Sequence, residues 1–175
     1  MLRTILLSSL PLFLLACTVG SSITNGRATV VPRALETDAV ALPAAAPVAV
    51  VAGPARDAWF RLAPVGSEET EANLAVWSQQ TAAFVARELS QRGVPAAADA
   101  GRQLQVTVVS ANGEQGAFKC RVDVRVRAET GDGTSAEFTG STSSVRGVVF
   151  CAEDALAQAV QQMLSDARIR AWLGS

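Results

Sequence analysis

Phe118-Lys119-Cys120-Arg121-Val122-Asp123-Val124-Arg125-Val126-Arg127-Ala128-Glu129 is the stretch whose pattern decides the fold. Phe118, Cys120, Val122, Val124, Val126 and Ala128 fall on one side, and Lys119, Arg121, Asp123, Arg125, Arg127 and Glu129 on the other. Successive side chains of a strand point to opposite faces, so this split predicts a strand with one face on a core and the other in water. A sheet wetted on one face is antiparallel by preference.

Working outward, Thr130-Gly131-Asp132-Gly133 reads as a turn into a partner strand over residues 134–142, with Ala136, Phe138 and Gly140 on one side. Upstream, Leu104, Val106 and Val108 alternate with Gln105 and Thr107, a half-buried strand that the Asn112-Gly113 turn signal should end. Before it, Leu74, Trp77, Thr81, Phe84, Val85 and Leu89 recur at helical steps, which predicts a helix over 70–92. Glu68, Glu69 and Glu71 suit the positive end of its dipole and Arg87 and Arg92 the negative end, while Gly93 and Pro95 supply a stop. Residues 48–52 and 58–63 read as short strands, the first closed by Gly53-Pro54. Leu156, Val160, Met163, Leu164 and Ala167 make the stripe of a last helix over 152–173, opened by Glu153 and Asp154. Val148-Val149-Phe150 fits either a short strand or the lead-in to that helix. Together these elements predict an α+β two-layer sandwich, a mostly antiparallel sheet with two amphipathic helices on one face.

Composition excludes much chemistry. The chain has no histidine and no tyrosine, so Ser-His-Asp and Cys-His catalysis and histidine-ligated zinc cannot be assembled. Its formal net charge of -1 provides no basic field of the kind nucleic-acid binders carry. Lys119 is the sole lysine. No cofactor, metal or nucleic-acid partner is expected.

The N-terminus carries a different signal. Arg3 precedes an apolar run through Ile5, Leu6, Leu7, Leu10, Leu12, Phe13, Leu14 and Leu15, then small Ala16 and Cys17. This is the layout of a secretory signal; the run is short for a membrane span and is interrupted by Pro11. Leu14-Leu15-Ala16-Cys17 resembles the lipobox of bacterial lipoproteins. The resemblance implies a signal peptide over 1–16 and a diacylglycerol on the Cys17 sulfur, so that Cys17 becomes the acylated N-terminus. Residues 17–47, rich in Ser, Thr, Ala, Gly and Pro, read as a flexible linker, and 48–175 as one periplasm-side domain. With Cys17 lipidated, Cys120 and Cys151 remain as an even pair in an oxidising compartment, where a disulfide is the default expectation. Two buried thiols or a redox pair are the alternatives. If Cys120 points inward and Cys151 opens the last helix, the bridge would staple helix to sheet.

The lipobox, the Pro-Ala linker, the helix ending Glu88-Leu89-Ser90-Gln91-Arg92-Gly93-Val94, the meander, and the closing helix from Ala155 through Trp172-Leu173 resemble YajG-type bacterial lipoproteins. What the resemblance implies is an outer-membrane-anchored, periplasm-facing accessory protein without enzymatic activity. Thr18 after the cysteine is consistent with that, since an aspartate there would favour inner-membrane retention.

Few side chains invite a binding role. Lys119, Arg121, Arg125 and Arg127 form a basic strand face that would hold phosphates, carboxylates or acidic glycans, although Asp123 and Glu129 partly neutralise it. A solvated face that discourages edge pairing is the alternative. Trp77 sits on a helical stripe and reads as core, whereas Trp59 alternates away from Phe60 and Leu62 and is open. Glu68/Glu69 and Glu153/Asp154 read as helix-start carboxylates rather than a catalytic pair. Three function classes follow: a non-catalytic accessory or scaffold lipoprotein that binds an envelope protein or glycan, a component of envelope transport or lipid trafficking that holds a lipid or glycan, and a carboxylate-based hydrolase. The first is favoured.

Overall fold

The computed structural model describes residues 21–35, 42, 46–63, 70–116 and 118–175. Within them the strands are β1 (Ser22–Thr24), β2 (Arg27–Thr29), β3 (Val48–Ala52), β4 (Trp59–Ala63), β5 (Thr70–Asn73), β6 (Arg102–Gln115), β7 (Cys120–Thr130) and β8 (Ser135–Ser144). The helices are α1 (Leu74–Gln91), α2 (Val148–Ser165) and α3 (Ala167–Leu173). The fold is an α+β sandwich. One sheet runs β3-β6-β7-β8, antiparallel except for the β3–β6 pair, and a smaller one runs β1-β2-β5-β4. No described helix is long and apolar enough to cross a membrane.

The deciding strand behaves as its alternation predicts. Cys120, Val122, Val124, Val126 and Ala128 are buried and lie beside the buried Leu104, Val106 and Val108 of β6. Helices α1 and α2 cover that face, α2 over β7 and β8 and α1 over β6 and β3. Close approach of α2 to β8 depends on small residues: Ala152, Ala155 and Ala159 are fully buried, and a Cβ at Gly140 would collide with the Ala155 carbonyl oxygen. Gly140→Ala should therefore lower stability by about 2 kcal/mol. Urea unfolding checks this, and a neutral result would show that α2 does not sit against β8 at that point.

Several boundaries differ from the sequence expectation. Helix α1 begins at Leu74, not residue 70, because Asn73 caps it: its side chain accepts hydrogen bonds from the backbone N–H groups of Ala75 and Val76 at 2.9 and 3.2 Å. Glu71 consequently lies in β5, paired with Arg27 at 3.6 Å, rather than in a first helical turn. Arg92 and Gly93, the latter at φ 87°, end α1 as expected. Arg92 is buried beside Glu88, with 3.8 Å between guanidinium and carboxylate.

Asn112-Gly113 is not a turn. Strand β6 continues to Gln115, and a bulge between Val108 and Ser110 resets its parity so that Ala111 and Gly113 face inward. Gly113 admits the backbone of β4, since a Cβ there would lie 2.8 Å from the Leu62 carbonyl oxygen. The reversal comes instead between Gln115 and Cys120, where Gly116 N–H donates to the Lys119 carbonyl at 2.8 Å, and Phe118 is exposed rather than inward.

Val148-Val149-Phe150 is the start of α2, so Glu153 and Asp154 stand in its second turn rather than its first. The single closing helix is two, broken at Asp166, whose carboxylate caps α3 by accepting from Arg168 and Ile169 N–H. Its hydrogen bond with the Arg168 side chain, followed by those backbone bonds, holds the Asp166 carboxyl below the usual range. A lowered folded-state pKa gives stability that is present above the unfolded value and lost as pH falls. Asp166→Ala should cost about 1 kcal/mol near neutrality. In urea titrations that difference should shrink as the pH drops below about 4.

The reading of 17–47 as a flexible linker is overturned for residues 21–35. Strands β1 and β2 form a hairpin through Asn25 and Gly26, at φ 51° and 76°, both in the left-handed region that tight hairpin turns require. The hairpin joins the second sheet and the core. Ala28 and Val30 are fully buried, the Trp77 indole N–H donates to the Ala28 carbonyl at 3.0 Å, and Val30 N–H donates to the Gln80 side chain at 3.1 Å. Leu42 is buried as well. Packed structure thus begins well before residue 48.

Candidate functional site

The basic strand face is occupied by its own neighbours. Arg121 pairs with Asp123 at 3.3 Å, and both Arg125 and Arg127 reach Glu137 on β8, at 3.6 and 2.7 Å. Hydrogen bonding from Arg127 holds the Glu137 carboxyl below its ordinary value. Ser141 first, then Arg121, do the same for Asp123. Lys119 lies outside the strand, in the reversal between Gln115 and Cys120. The four cations are therefore not one array: three belong to an alternating-charge ladder across β7 and β8, and the fourth stands at its end. Exposed pairs of this kind contribute little, so Arg121→Ser with Arg125→Ser should change stability by less than about 1 kcal/mol in urea unfolding.

Cys120 and Cys151 are brought together. Cys120 opens β7 and Cys151 lies in the first turn of α2, both buried, with their sulfurs at bonding distance and their Cα atoms 6.6 Å apart. That separation is within the range disulfides span. The pair joins helix to sheet at one end of the body.

This end has a distinctive surface. Gln115, Phe118, Lys119, Val145, Arg146 and Gly147 line an open concavity of about 430 Å³ over the disulfide. Phe118 is 86% exposed, Val145 75% and Phe150 39%. Two guanidiniums flank the Phe150 ring, Arg33 at 5.5 Å and Arg146 at 5.3 Å. Each is held by a carboxylate of α2: Arg33 by the buried Glu153 at 3.1 Å and Arg146 by Asp154 at 2.7 Å. Glu153 and Asp154 thus anchor arginines from the second turn of α2, whereas the sequence pattern put them at the helix start. Arg33 belongs to the segment that follows β2, so its pairing straps the N-terminal part of the chain across α2.

Trp77 is fully buried, as its stripe predicts. Trp59 is half-buried and stacked under Arg27 at 4.8 Å. Glu68, Glu69 and Cys17 lie outside the described residues. Among those described, no cluster of three or more Cys, Asp or Glu side chains is placed to hold a metal ion. The Arg33–Phe150–Arg146 arrangement escapes sequence reading, since single arginines far apart in the chain carry no mutual pattern.

No protein-family model matches this chain. No curated protein matches it either.

Proposed function

We propose that this chain is a lipid-anchored accessory protein of the bacterial envelope, tethered by an acyl group on Cys17 to the outer membrane and facing the periplasm. It acts by recognising an envelope partner rather than by turnover. The observation that carries this reading is the apolar run closing on Leu14-Leu15-Ala16-Cys17, with Ser21, four residues on, bonded to Val31. A signal of this layout delivers a domain, and an acylated cysteine at the cut would hold it at the surface. The bonding-distance Cys120–Cys151 pair supports an oxidising compartment. Engagement of Glu153 and Asp154 by Arg33 and Arg146 supports recognition over carboxylate hydrolysis.

The test is an intact mass of the protein purified from membranes. The expected species lacks the first sixteen residues and carries a diacylglyceryl group on Cys17, whereas Cys17→Ala accumulates as an unacylated form. Native protein with Cys17 unmodified, or with the leader attached, would overturn the reading. Crosslinking in intact envelopes followed by mass spectrometry then identifies the protein or glycan recognised.

A further inference from the structure

We infer that the end of the body bearing Phe118, Val145 and Phe150 rests on the bilayer surface that holds the anchor; this rests on the acylation of Cys17 proposed above. The first argument is reach. Ser21 is fixed to the body: its hydroxyl accepts from Val31 N–H at 2.7 Å and donates to the Val31 carbonyl at 3.2 Å. Cys17 is four residues upstream, and four residues extend at most roughly 14 Å whatever their conformation. Part of that length lies within the headgroup layer, so the body cannot stand a full domain diameter away from the membrane. A thirty-residue linker would have allowed free tumbling; a four-residue one imposes an orientation.

The second argument is where apolar surface is exposed. Four large apolar side chains among the described residues are exposed, Ile23, Phe118, Val145 and Phe150. Single exposed apolar residues are ordinary, but Phe118, Val145 and Phe150 share one end of the body, and Arg33 links that end to the segment that holds Ser21. Ile23 is two residues past Ser21. Arg33, two residues past Val31, lies against Phe150, and Arg146 continues from Phe150 to the concavity that Phe118 and Val145 line. Lys119, Arg33 and Arg146 border this apolar surface with long stems, although Asp154 and Glu153 engage the two arginines. Phenylalanine and valine ringed by cations fit the boundary between headgroups and acyl chains, with the charged tips lying among phosphates. The opposite end of β7, at Glu129 and its partner Ser135, is polar and roughly 30 Å away.

The test uses the full lipidated protein reconstituted in phosphatidylethanolamine–phosphatidylglycerol vesicles. A photoreactive benzoylphenylalanine replaces Phe118, Val145 or, as the far-end control, Ser135. Flotation with the vesicles reports the anchor, and the adducts formed on illumination report the orientation. The expected result is flotation of all three variants, with about tenfold more lipid adduct at 118 and 145 than at 135. Flotation with equal adducts at all three positions, or none at 118 and 145, overturns the orientation while the anchor stands. Protein adducts at 118 would assign this end to a second copy and overturn it too. Failure to float overturns the anchor and this inference together.

Discussion

Trp77→Ala is expected to lower the unfolding free energy by about 4 kcal/mol. The indole is fully buried on the inner side of α1, and its N–H donates to the Ala28 carbonyl. Truncation opens a cavity in the core and leaves the Ala28 carbonyl without its donor, and the two costs add. Trp77→Phe keeps most of the volume and loses the hydrogen bond, so its cost should be closer to about 1–2 kcal/mol. Urea unfolding measures both. Hydrogen exchange adds a local readout, because Trp77 holds the β1–β2 hairpin: amides at 22–31 should lose protection in Trp77→Ala before those of β7 do. A cost below about 1 kcal/mol, with hairpin protection intact, would mean that the N-terminal hairpin is not docked on α1.

Removing the Cys120–Cys151 bridge is the next largest effect. The cysteines are 31 positions apart, and closing a loop of that size restricts the unfolded chain by about 4 kcal/mol. Cys120→Ala with Cys151→Ala should lose that amount, a little more if the small cavities left in the buried site fail to collapse. Urea unfolding of the unreduced wild type, the reduced wild type and the double variant separates the contributions. Reductant should move the wild-type midpoint down and leave the double variant unmoved. A wild type indifferent to reductant would mean that the two sulfurs are not bonded in the folded protein. The bridge also fixes the surface described above, because Phe118 and Lys119 immediately precede Cys120, and Val145 to Gly147 lead into the helix that carries Cys151. Loosening it should therefore reduce lipid adducts at Phe118 in the vesicle experiment.

How much was legible depended on whether a pattern had neighbours that competed with it. The two Asn-Gly pairs illustrate this. Asn25-Gly26 is a tight hairpin turn, yet it sits in a Ser- and Thr-rich stretch whose strands are only three residues each, too short to show alternation. Asn112-Gly113 lies between longer runs and reads as a turn, but there the glycine serves a close approach of Leu62. Local chemistry permits a turn at either pair, and the packing of β4 decides between them. The caps Asn73 and Asp166 were signals of the right type, masked by apolar stripes that carry helical spacing past them. The basic face was visible as a row of cations, but Glu137, which neutralises two of them, stands on the next strand.

The sequence by itself determined the inward and outward faces of β7, the cores of α1 and α2, and the exclusion of histidine chemistry. These are short-range properties, set by side-chain period and composition. Tertiary structure alone decided that residues 21–35 belong to the folded body, that the carboxylates of α2 hold Arg33 and Arg146, and that the two cysteines meet across α2 and β7. Each of those joins segments distant in sequence, and a one-dimensional pattern cannot register a contact whose two halves carry no common period.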